Sequence, residues 1–283
     1  MFRVFQGVDF SGAKLAGRAI WIARLEMDSP EGELTTFRLT ELASLEKLCG
    51  SAEREPALRH LRGRIERSEQ TLWALDFPFG LPVELFPPRS RWVSQFRLLK
   101  EWGDDAYGMG VECLRRAKAL GGPNHIRRQT DLEAKAPFDC YHYRIIYQTF
   151  FGMRDVLGPL RNDPSTAILP FHYGRLPGAK RVLVEACPSS TLKRLGLPHQ
   201  NYKQPEGGAL TPRRRSTRRV ILEALQARVE IPPSFRQRMM RNPGGDALDS
   251  VLAALGAAES WAVSDHIRVA KHRRYPREGR LYV

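Results

Sequence analysis

Cysteine is scarce in this chain of 283 residues, and the four that are present show no CxxC spacing. That pattern excludes the common zinc sites and a disulfide scaffold, so we interpret the cysteines as buried thiols: Cys49, Cys113, Cys140 and Cys187. No apolar run approaches the roughly 18 residues that a bilayer-spanning helix needs. The opening MFRVFQGVDF leads directly into a strand pattern and has no signal-peptide layout. We therefore expect a cytoplasmic protein with no membrane partner.

Negative charge is outnumbered by positive charge. The sequence has 45 Lys and Arg residues against 31 Asp and Glu residues, a formal net charge of +14. A nucleic acid is the predicted partner of such a chain, because Lys and Arg contacts release the counterions that condense on phosphates. A generally basic, solvated surface is the alternative. The clustering of the basic residues favours the nucleic acid.

The remaining composition is that of an ordinary globular protein. Hydrophobic residues make up 42% of the chain and charged residues 27%, close to the usual proportions. The length suits one large α/β domain or a domain with a sizeable insertion, and the sequence shows no internal repeat. We predict a single domain over residues 1–283.

Apolar alternation and apolar runs predict five strands and several helices. The strands are predicted at residues 4–9, 20–25, 35–39, 71–77 and 181–187. The helices are predicted at residues 42–49, 57–65, 107–120 and 141–157, from Pro212 onward, and at residues 246–261. The fourth strand is apolar up to Asp76, as is typical of a buried parallel strand flanked by helices. A mostly helical insertion is predicted at about residues 84–180.

Five acidic residues lie where predicted elements end or begin. Three of them end apolar runs and two open the last long helix: Asp9, Asp76, Glu185, Asp246 and Asp249. The carboxyl ends of strands in an α/β sheet converge on one crevice, so these residues can meet in space. Carboxylates that meet without partners repel one another, which favours a cluster that binds metal ions or works as an acid/base pair. We predict that the five acids share the coordination of Mg²⁺ or Mn²⁺ and the activation of water.

Each acid also has a structural interpretation. Asp9 and Asp76 can be turn residues, and Asp246 can be a helix N-cap or a first-turn acid matched to the helix dipole. Glu185 differs, because it interrupts a strand that should be buried on both faces and therefore needs a partner there. Taken together, the positions at element ends favour a functional site.

The predicted element order is that of the RNase H-like fold, an α/β fold with a mixed five-stranded sheet and flanking helices. In that fold the first and fourth strands are adjacent and parallel, which would place Asp9 beside Asp76. Six segments resemble the family catalogued as domain of unknown function 429 (DUF429), predicted RNase H-like nucleases: GVDFSGAKLAGRAIWIA, LDFPFGLP, YRIIYQTFFGMRDVLGPL, VEACPSSTLKRLGLP, GGDALDSVLAALGA and EGRLYV. The resemblance covers nearly the whole chain. It implies that the family's acidic positions correspond to Asp9, Asp76, Glu185, Asp246 and Asp249.

The first functional prediction is therefore a metal-dependent nuclease that hydrolyses phosphodiester bonds in DNA or RNA. A second is an ATPase or phosphotransferase of the actin-like or sugar-kinase type, because Asp9-Phe10-Ser11-Gly12 is loosely similar to the first phosphate loop of those proteins. The sequence lacks a second glycine-rich loop and a duplicated core domain, which weakens this alternative. A third is a nucleic-acid-binding protein without catalytic turnover.

Two groups of polar side chains are predicted to bind the nucleic acid. Arg144 and Gln148 lie on one face of a predicted helix, where the arginine fork could grip a phosphate. A surface ion pair between Arg144 and an acid such as Asp139 is the alternative. Five arginines at the start of a predicted helix oppose its dipole: Arg213, Arg214, Arg215, Arg218 and Arg219. Positive charge at a helix start that brings no local stabilisation favours a binding surface. A solvated loop before the helix is the alternative.

Overall fold

One mixed β-sheet forms the centre of the protein. The structure is a computed structural model that describes residues 2–27 and 36–283. Within these residues the sheet has seven strands: β1 (Val4–Asp9), β2 (Trp21–Met27), β3 (Phe37–Ser44), β4 (Thr71–Asp76), β5 (Thr166–Ile168), β6 (Arg181–Glu185) and β7 (Val229–Glu230). Their order is β5-β6-β4-β1-β2-β3-β7. The neighbours from β5 to β1 are parallel, β2 is antiparallel to β1 and to β3, and β7 is parallel to β3.

The sheet confirms the predicted α/β class and corrects the predicted number of strands, which is seven rather than five in the described residues. The two additional strands, β5 and β7, have three and two residues and are too short to leave an alternating pattern in the sequence. Residues 42–44, where the sequence predicts a helix, continue β3 with alternating burial. Thr35 of the predicted third strand lies outside the described residues. The RNase H-like arrangement stays a prediction.

Helices cover both faces of the sheet. The described residues contain fourteen α-helical segments: α1 (Ala16–Ala19), α2 (Leu45–Cys49), α3 (Arg54–Arg67), α4 (Trp92–Glu101), α5 (Ala106–Ala119), α6 (Gln129–Glu133), α7 (Ile146–Phe151), α8 (Gly158–Leu160), α9 (Pro188–Arg194), α10 (Pro212–Leu225), α11 (Pro233–Arg241), α12 (Asp246–Val263), α13 (His266–Lys271) and α14 (Tyr275–Glu278). Across residues 2–27 and 36–283, no helix combines the length with the apolar composition that a membrane span requires.

The segment between β4 and β6 is mostly helical. It contains α4 to α8, a π-helical turn at Gly152–Leu157, two 3₁₀ turns at Val83–Leu85 and Tyr173–Gly178, and the short strand β5. The helix predicted at residues 107–120 is α5, shifted by one residue. The helix predicted at residues 141–157 begins only at Ile146 and becomes π-helical at Gly152.

The four cysteines are free thiols. The prediction of buried thiols is confirmed for Cys113, Cys140 and Cys187, whereas Cys49 is only half-buried. Its position explains the difference, because Cys49 is the last residue of the short helix α2 and its thiol donates to the carbonyl oxygen of Ser51 at 3.4 Å.

Side-chain alternation assigns the residues at the ends of β1 and β4 to one face of the sheet. Trp73 packs into the apolar core that contains the insertion helices, whereas Leu72 and Ala74 pack into the core that contains α10 and α12. Asp76 continues the series of Leu72 and Ala74, and Asp9 is its register partner in β1. Both acids therefore lie on the face that α12 covers.

Helix α12 lies directly on the backbone of β1. A Cβ atom at Gly7 would be 1.9 Å from the carbonyl oxygen of Ser250 and 2.5 Å from the backbone nitrogen of Ala254. Only glycine permits so close an approach of two backbones. Asp249 precedes Ser250, so the same contact brings its carboxylate to the end of β1.

We expect Gly7→Ala to lower the free energy of unfolding by about 1–3 kcal/mol, because the added methyl group would push α12 away from β1. Urea unfolding followed by circular dichroism measures this change. Gly122→Ala is the matched control, since nothing lies within 4 Å of a Cβ atom there. Equal stabilities of the two variants would contradict the close packing.

Candidate functional site

Asp9 and Asp76 form the centre of the candidate site. They are register partners at the ends of the adjacent parallel strands β1 and β4, as predicted. Their carboxyl groups are close enough to share a hydrogen bond. Asp9 is only 7% exposed, so little water is available to stabilise a negative charge there.

Asp249 extends the pair from α12, and Asp246 lies beside it. Asp249 is 1% exposed and lies close enough to both strand acids to raise their pKa values. Asp246, the first residue of α12, accepts a hydrogen bond from Nδ2 of Asn242 at 3.2 Å. Burial raises the pKa of Asp246 and this hydrogen bond lowers it. The structure thus brings four of the five predicted acids into one electrostatic cluster.

Burial is the main cause of the unusual pKa values of the two strand acids. It raises the pKa of Asp9 well above the usual range, and the charge of Asp249 adds to the effect. Burial followed by the charge of Asp249 raises the pKa of Asp76 to about 7. The pair therefore retains protons near neutral pH unless a cation compensates the charges.

Lys203 places a positive charge beside the cluster, and the pKa values of Asp9 and Asp76 stay raised in its presence. Its ammonium group forms an ion pair with the carboxylate of Asp249, which also accepts a hydrogen bond from the hydroxyl of Tyr202 at 2.9 Å. The charge of Lys203 lowers the pKa of both Asp9 and Asp76. Desolvation lowers the pKa of Lys203 itself, but the charges of Asp249, Tyr202 and Asp9 and the hydrogen bond to Asp249 together raise that pKa well above the usual range.

Glu185 lies near Asp76 and adds to the rise of its pKa, but its carboxylate is bound by an arginine. One oxygen of its carboxylate accepts from Nη1 of Arg128 at 2.8 Å and from the backbone nitrogen of Phe79 at 3.0 Å, and the other accepts from Nη2 of Arg128. Arg128 also donates to Asp131 at 2.7 and 3.1 Å. The three charged residues are all at most 2% exposed. The predicted need for a partner at Glu185 is confirmed, and its role as a metal ligand is not supported.

The segment that follows α14 completes this buried ion network. The carbonyl oxygen of Glu278 accepts from Nη1 of Arg128 at 3.0 Å. The backbone nitrogen of Leu281 donates to Oγ1 of Thr130 at 2.8 Å, and that of Tyr282 donates to the carbonyl oxygen of Glu185 at 2.9 Å. The network therefore joins β6, α6 and residues 278–282 at one edge of the site.

A cavity of about 190 Å³ opens beside the acids. Asp9, Asp76, Glu185, Asp249 and Lys203 line it, and Asp246 does not. Apolar and polar side chains complete the wall, among them Phe77, Phe138, Ile145 and Gln148. The cavity thus joins the carboxylates to an apolar surface on the insertion.

Arg144 and Gln148 differ in position. Gln148 lines the cavity, but its amide donates to the carbonyl oxygen of Phe10 and so holds the turn after β1. Arg144 is exposed and its Nε donates to the hydroxyl of Tyr143 at 3.2 Å. The alternative ion pair with Asp139 is wrong, because Asp139 binds Nδ1 of His125 at 2.8 Å.

The prediction that Arg218 binds nucleic acid at the surface is wrong. Arg218 is 0% exposed and its guanidinium donates to four backbone carbonyl oxygens: those of Tyr202, Met239, Asn242 and Pro243. The reason is its place on α10, where it shares the buried face with Ile221 and Leu222. The exposed side chains of the predicted group are Arg213, Arg215 and Arg219, and Arg214 is half-buried against Gln204.

The acids fit a divalent cation by their chemistry, since carboxylate oxygens are the ligands that Mg²⁺ and Mn²⁺ prefer. As the side chains are placed, no group of three or more His, Cys, Asp or Glu residues in the described residues is positioned to hold a metal ion. The ammonium of Lys203 lies at Asp249, where a metal would compete with it. Asp9, Asp76 and Asp249 are the residues whose chemistry suits a metal ion, whereas both oxygens of Glu185 already accept hydrogen bonds.

Sequence reasoning missed Lys203 and Arg128. Both lie in irregular segments, and neither has a local pattern that separates it from the many other basic residues of the chain. The one available signal was indirect. A buried glutamate at position 185 requires a cation, but the sequence does not identify which of the basic residues supplies it.

We expect the chelated protein to lose stability as the pH rises from about 4 to 7. The pKa of Asp76 is 3.8 in the unfolded chain and about 7 in the folded protein. The native state therefore binds more protons than the unfolded state in this interval, and the free energy of unfolding falls as the pH rises. The loss is at most about 4 kcal/mol, since one pKa unit corresponds to roughly 1.4 kcal/mol. Urea unfolding at several pH values should show a flatter profile for Asp76→Asn. The same profile in both proteins would contradict the shift.

Lys203→Met should lower the free energy of unfolding by about 1–2 kcal/mol at pH 8 in chelator, because Asp249 loses its counter-charge. Asp249→Asn in the same chain should restore most of the loss, as a double-mutant cycle would measure. Lys118→Met, at an exposed position of α5, is the control. Additive effects of the two substitutions would mean that the pair is not coupled.

No protein-family model, no curated protein and no solved structure matches the chain. The resemblance to DUF429 therefore stays a prediction that depends on the quoted segments.

Proposed function

We propose that this protein is a nuclease that depends on Mg²⁺ or Mn²⁺, built on an RNase H-like core and belonging to the DUF429 family. The observation that carries the proposal is the pairing of Asp9 with Asp76 at the ends of adjacent parallel strands, with Asp249 of α12 against them. Asp9 and Asp249 are buried and Asp76 is half-buried. Three carboxylates gathered in this way are costly unless a bound cation compensates their charge. Binding of a divalent cation is the use that suits hard oxygen ligands.

Asp9, Asp76 and Asp249 would hold the metal, and Asp246 would add negative charge beside them. When bound, the metal would lower the pKa of a water molecule and stabilise the charge on the leaving oxygen of a phosphodiester. The residues of the chain would provide the rest of the site. Lys203, freed from Asp249 by the metal, would place its positive charge near a bound phosphate.

Glu185 has a positioning role in this proposal. It accepts from the backbone nitrogen of Phe79, three residues after Asp76, and from Arg128. These bonds fix the turn that follows β4 and, with it, the orientation of the Asp76 carboxylate. The role predicted from the sequence for Glu185, metal binding, is replaced by support of the site.

The ATPase alternative is disfavoured by the turn after β1. A phosphate loop needs exposed backbone N–H groups that can approach the ligand. Here Gly12 packs against α7, since a Cβ atom on it would be 2.1 Å from the carbonyl oxygen of Tyr147. Gln148 covers the same turn through its bond to Phe10.

A nucleic-acid-binding protein without turnover is the second candidate. The observation in its favour is the ion pair of Lys203 with Asp249, because a built-in cation can replace the metal. The two candidates differ in one measurable property, cleavage that requires a divalent metal.

The nuclease prediction is tested with labelled single-stranded and duplex DNA and RNA. Cleavage should require Mg²⁺ or Mn²⁺ and stop in chelator, and Asp9→Asn and Asp76→Asn should each lower the rate by roughly 100-fold or more. Asp104→Asn is the matched control, since that side chain is 82% exposed and lies in the insertion.

Full activity in chelator, or in either Asn variant, would contradict the metal-dependent scheme. Binding without cleavage in any metal would favour the second candidate. Hydrolysis of ATP without cleavage of nucleic acid would favour the ATPase alternative.

A further inference from the structure

A groove between α10 and α11 is lined by four arginines. Arg215 and Arg219 come from α10, and Arg236 and Arg241 come from α11. The groove has a volume of about 510 Å³ and lies on a part of the surface that shares no lining residue with the carboxylate cavity. It therefore is a second candidate binding site with the opposite charge.

The four guanidinium groups have almost no compensating partners. The side chains of Arg215, Arg219 and Arg241 make no hydrogen bond or ion pair with any of the described residues. Arg236 has one acid at some distance, with Nη2 3.8 Å from Oε1 of Glu223. Its Nη1 is buried and has no hydrogen-bond partner among the described residues. Like charges gathered in this way repel one another, and a buried donor without an acceptor is costly.

A buried arginine fixes the position of α10 relative to α11, the two helices that form the walls of the groove. Arg218 lies between Arg215 and Arg219 in the sequence but turns to the buried face of α10. It donates to the carbonyl oxygens of Met239 at 2.8 Å and Asn242 at 2.6 Å, at the end of α11. The two helices are thus tied together, and the spacing of the groove does not depend on a ligand.

We propose that this groove binds the phosphodiester backbone of a nucleic acid. Guanidinium forks match phosphate oxygens in charge and geometry. None of the residues that line the groove is aromatic, so it offers no surface on which bases stack. Recognition there is of the backbone and is independent of base sequence.

One end of the groove is connected through the chain to the start of α12. Arg241 is the last residue of α11, and the next residue, Asn242, donates to Asp246 at the start of α12. This inference rests on the nucleic-acid part of the proposed function and is independent of cleavage.

The test compares two double variants. Arg215→Gln with Arg219→Gln removes two charges from the groove, and Arg97→Gln with Lys118→Gln removes two exposed charges on the insertion helices, outside it. Binding of fluorescent DNA and RNA is measured by anisotropy in chelator between about 50 and 300 mM salt. The groove variant should bind roughly tenfold more weakly at the low-salt end, and its slope of log K against log salt should fall by about 0.7–0.9 for each lost contact.

The control variant should keep the slope and nearly all of the affinity of the natural chain. Equal losses in the two variants, or an unchanged slope in the groove variant, would overturn the inference. Displacement of the oligonucleotide by inorganic phosphate alone at millimolar concentration would also overturn it, because the groove would then be a site for small anions. Urea unfolding checks that both variants stay folded.

Cleavage assays on the same samples separate this inference from the proposed nuclease. Weaker binding by the groove variant without metal-dependent cleavage would support the groove as a binding site and contradict the nuclease. Metal-dependent cleavage with unchanged binding by the groove variant would support the nuclease and contradict the groove. If the natural chain binds no nucleic acid at low salt, the groove proposal is wrong.

Discussion

The packing of α12 on the backbone of β1 is the contact on which the rest of the site depends. At Gly7 the helix and the strand approach so closely that no side chain fits between them. This contact sets the distance of Asp249 from Asp9, and the register of β1 with β4 places Asp76 beside Asp9. A site made of three separate elements thus has its geometry fixed by one backbone contact.

Two buried groups of acids receive their positive charge in different ways. Glu185 and Asp131 share Arg128, whose planar fork satisfies both carboxylates and leaves the network nearly closed to solvent. The acids at the end of β1 and β4 have Lys203, a point charge on a flexible stem that is 44% exposed. The first arrangement suits a permanent structural role, whereas the second can be exchanged for another cation. In the proposed nuclease, that difference would separate the part of the site that supports Asp76 from the part that holds the metal.

Much of the central architecture could be predicted from the sequence, because long apolar runs and their end residues carry strong signals. The bounds of β1 followed from them. The parallel pairing of β1 with β4 and the meeting of Asp9 with Asp76 were predicted from the resemblance of the element order to the RNase H-like fold. The roles of Lys203 and Arg218 could not be predicted. A basic residue in a loop or an Arg-rich helix start has no local pattern that tells whether it faces water, a carboxylate or backbone carbonyls. Those outcomes depend on contacts between residues far apart in the chain.

The contacts of residues 278–282 bear on how the chain folds. Arg128 and the carbonyl oxygen of Glu278 are 150 residues apart in the sequence, and Thr130 and the backbone nitrogen of Leu281 are 151 apart. Closing so long a loop carries an entropic cost that is recovered only after the intervening elements have formed. The ion network around Arg128 would therefore be completed late in folding. Substitutions in residues 278–282 should then speed unfolding more than they slow folding. The contacts of this segment would therefore set how long the native state persists before it unfolds.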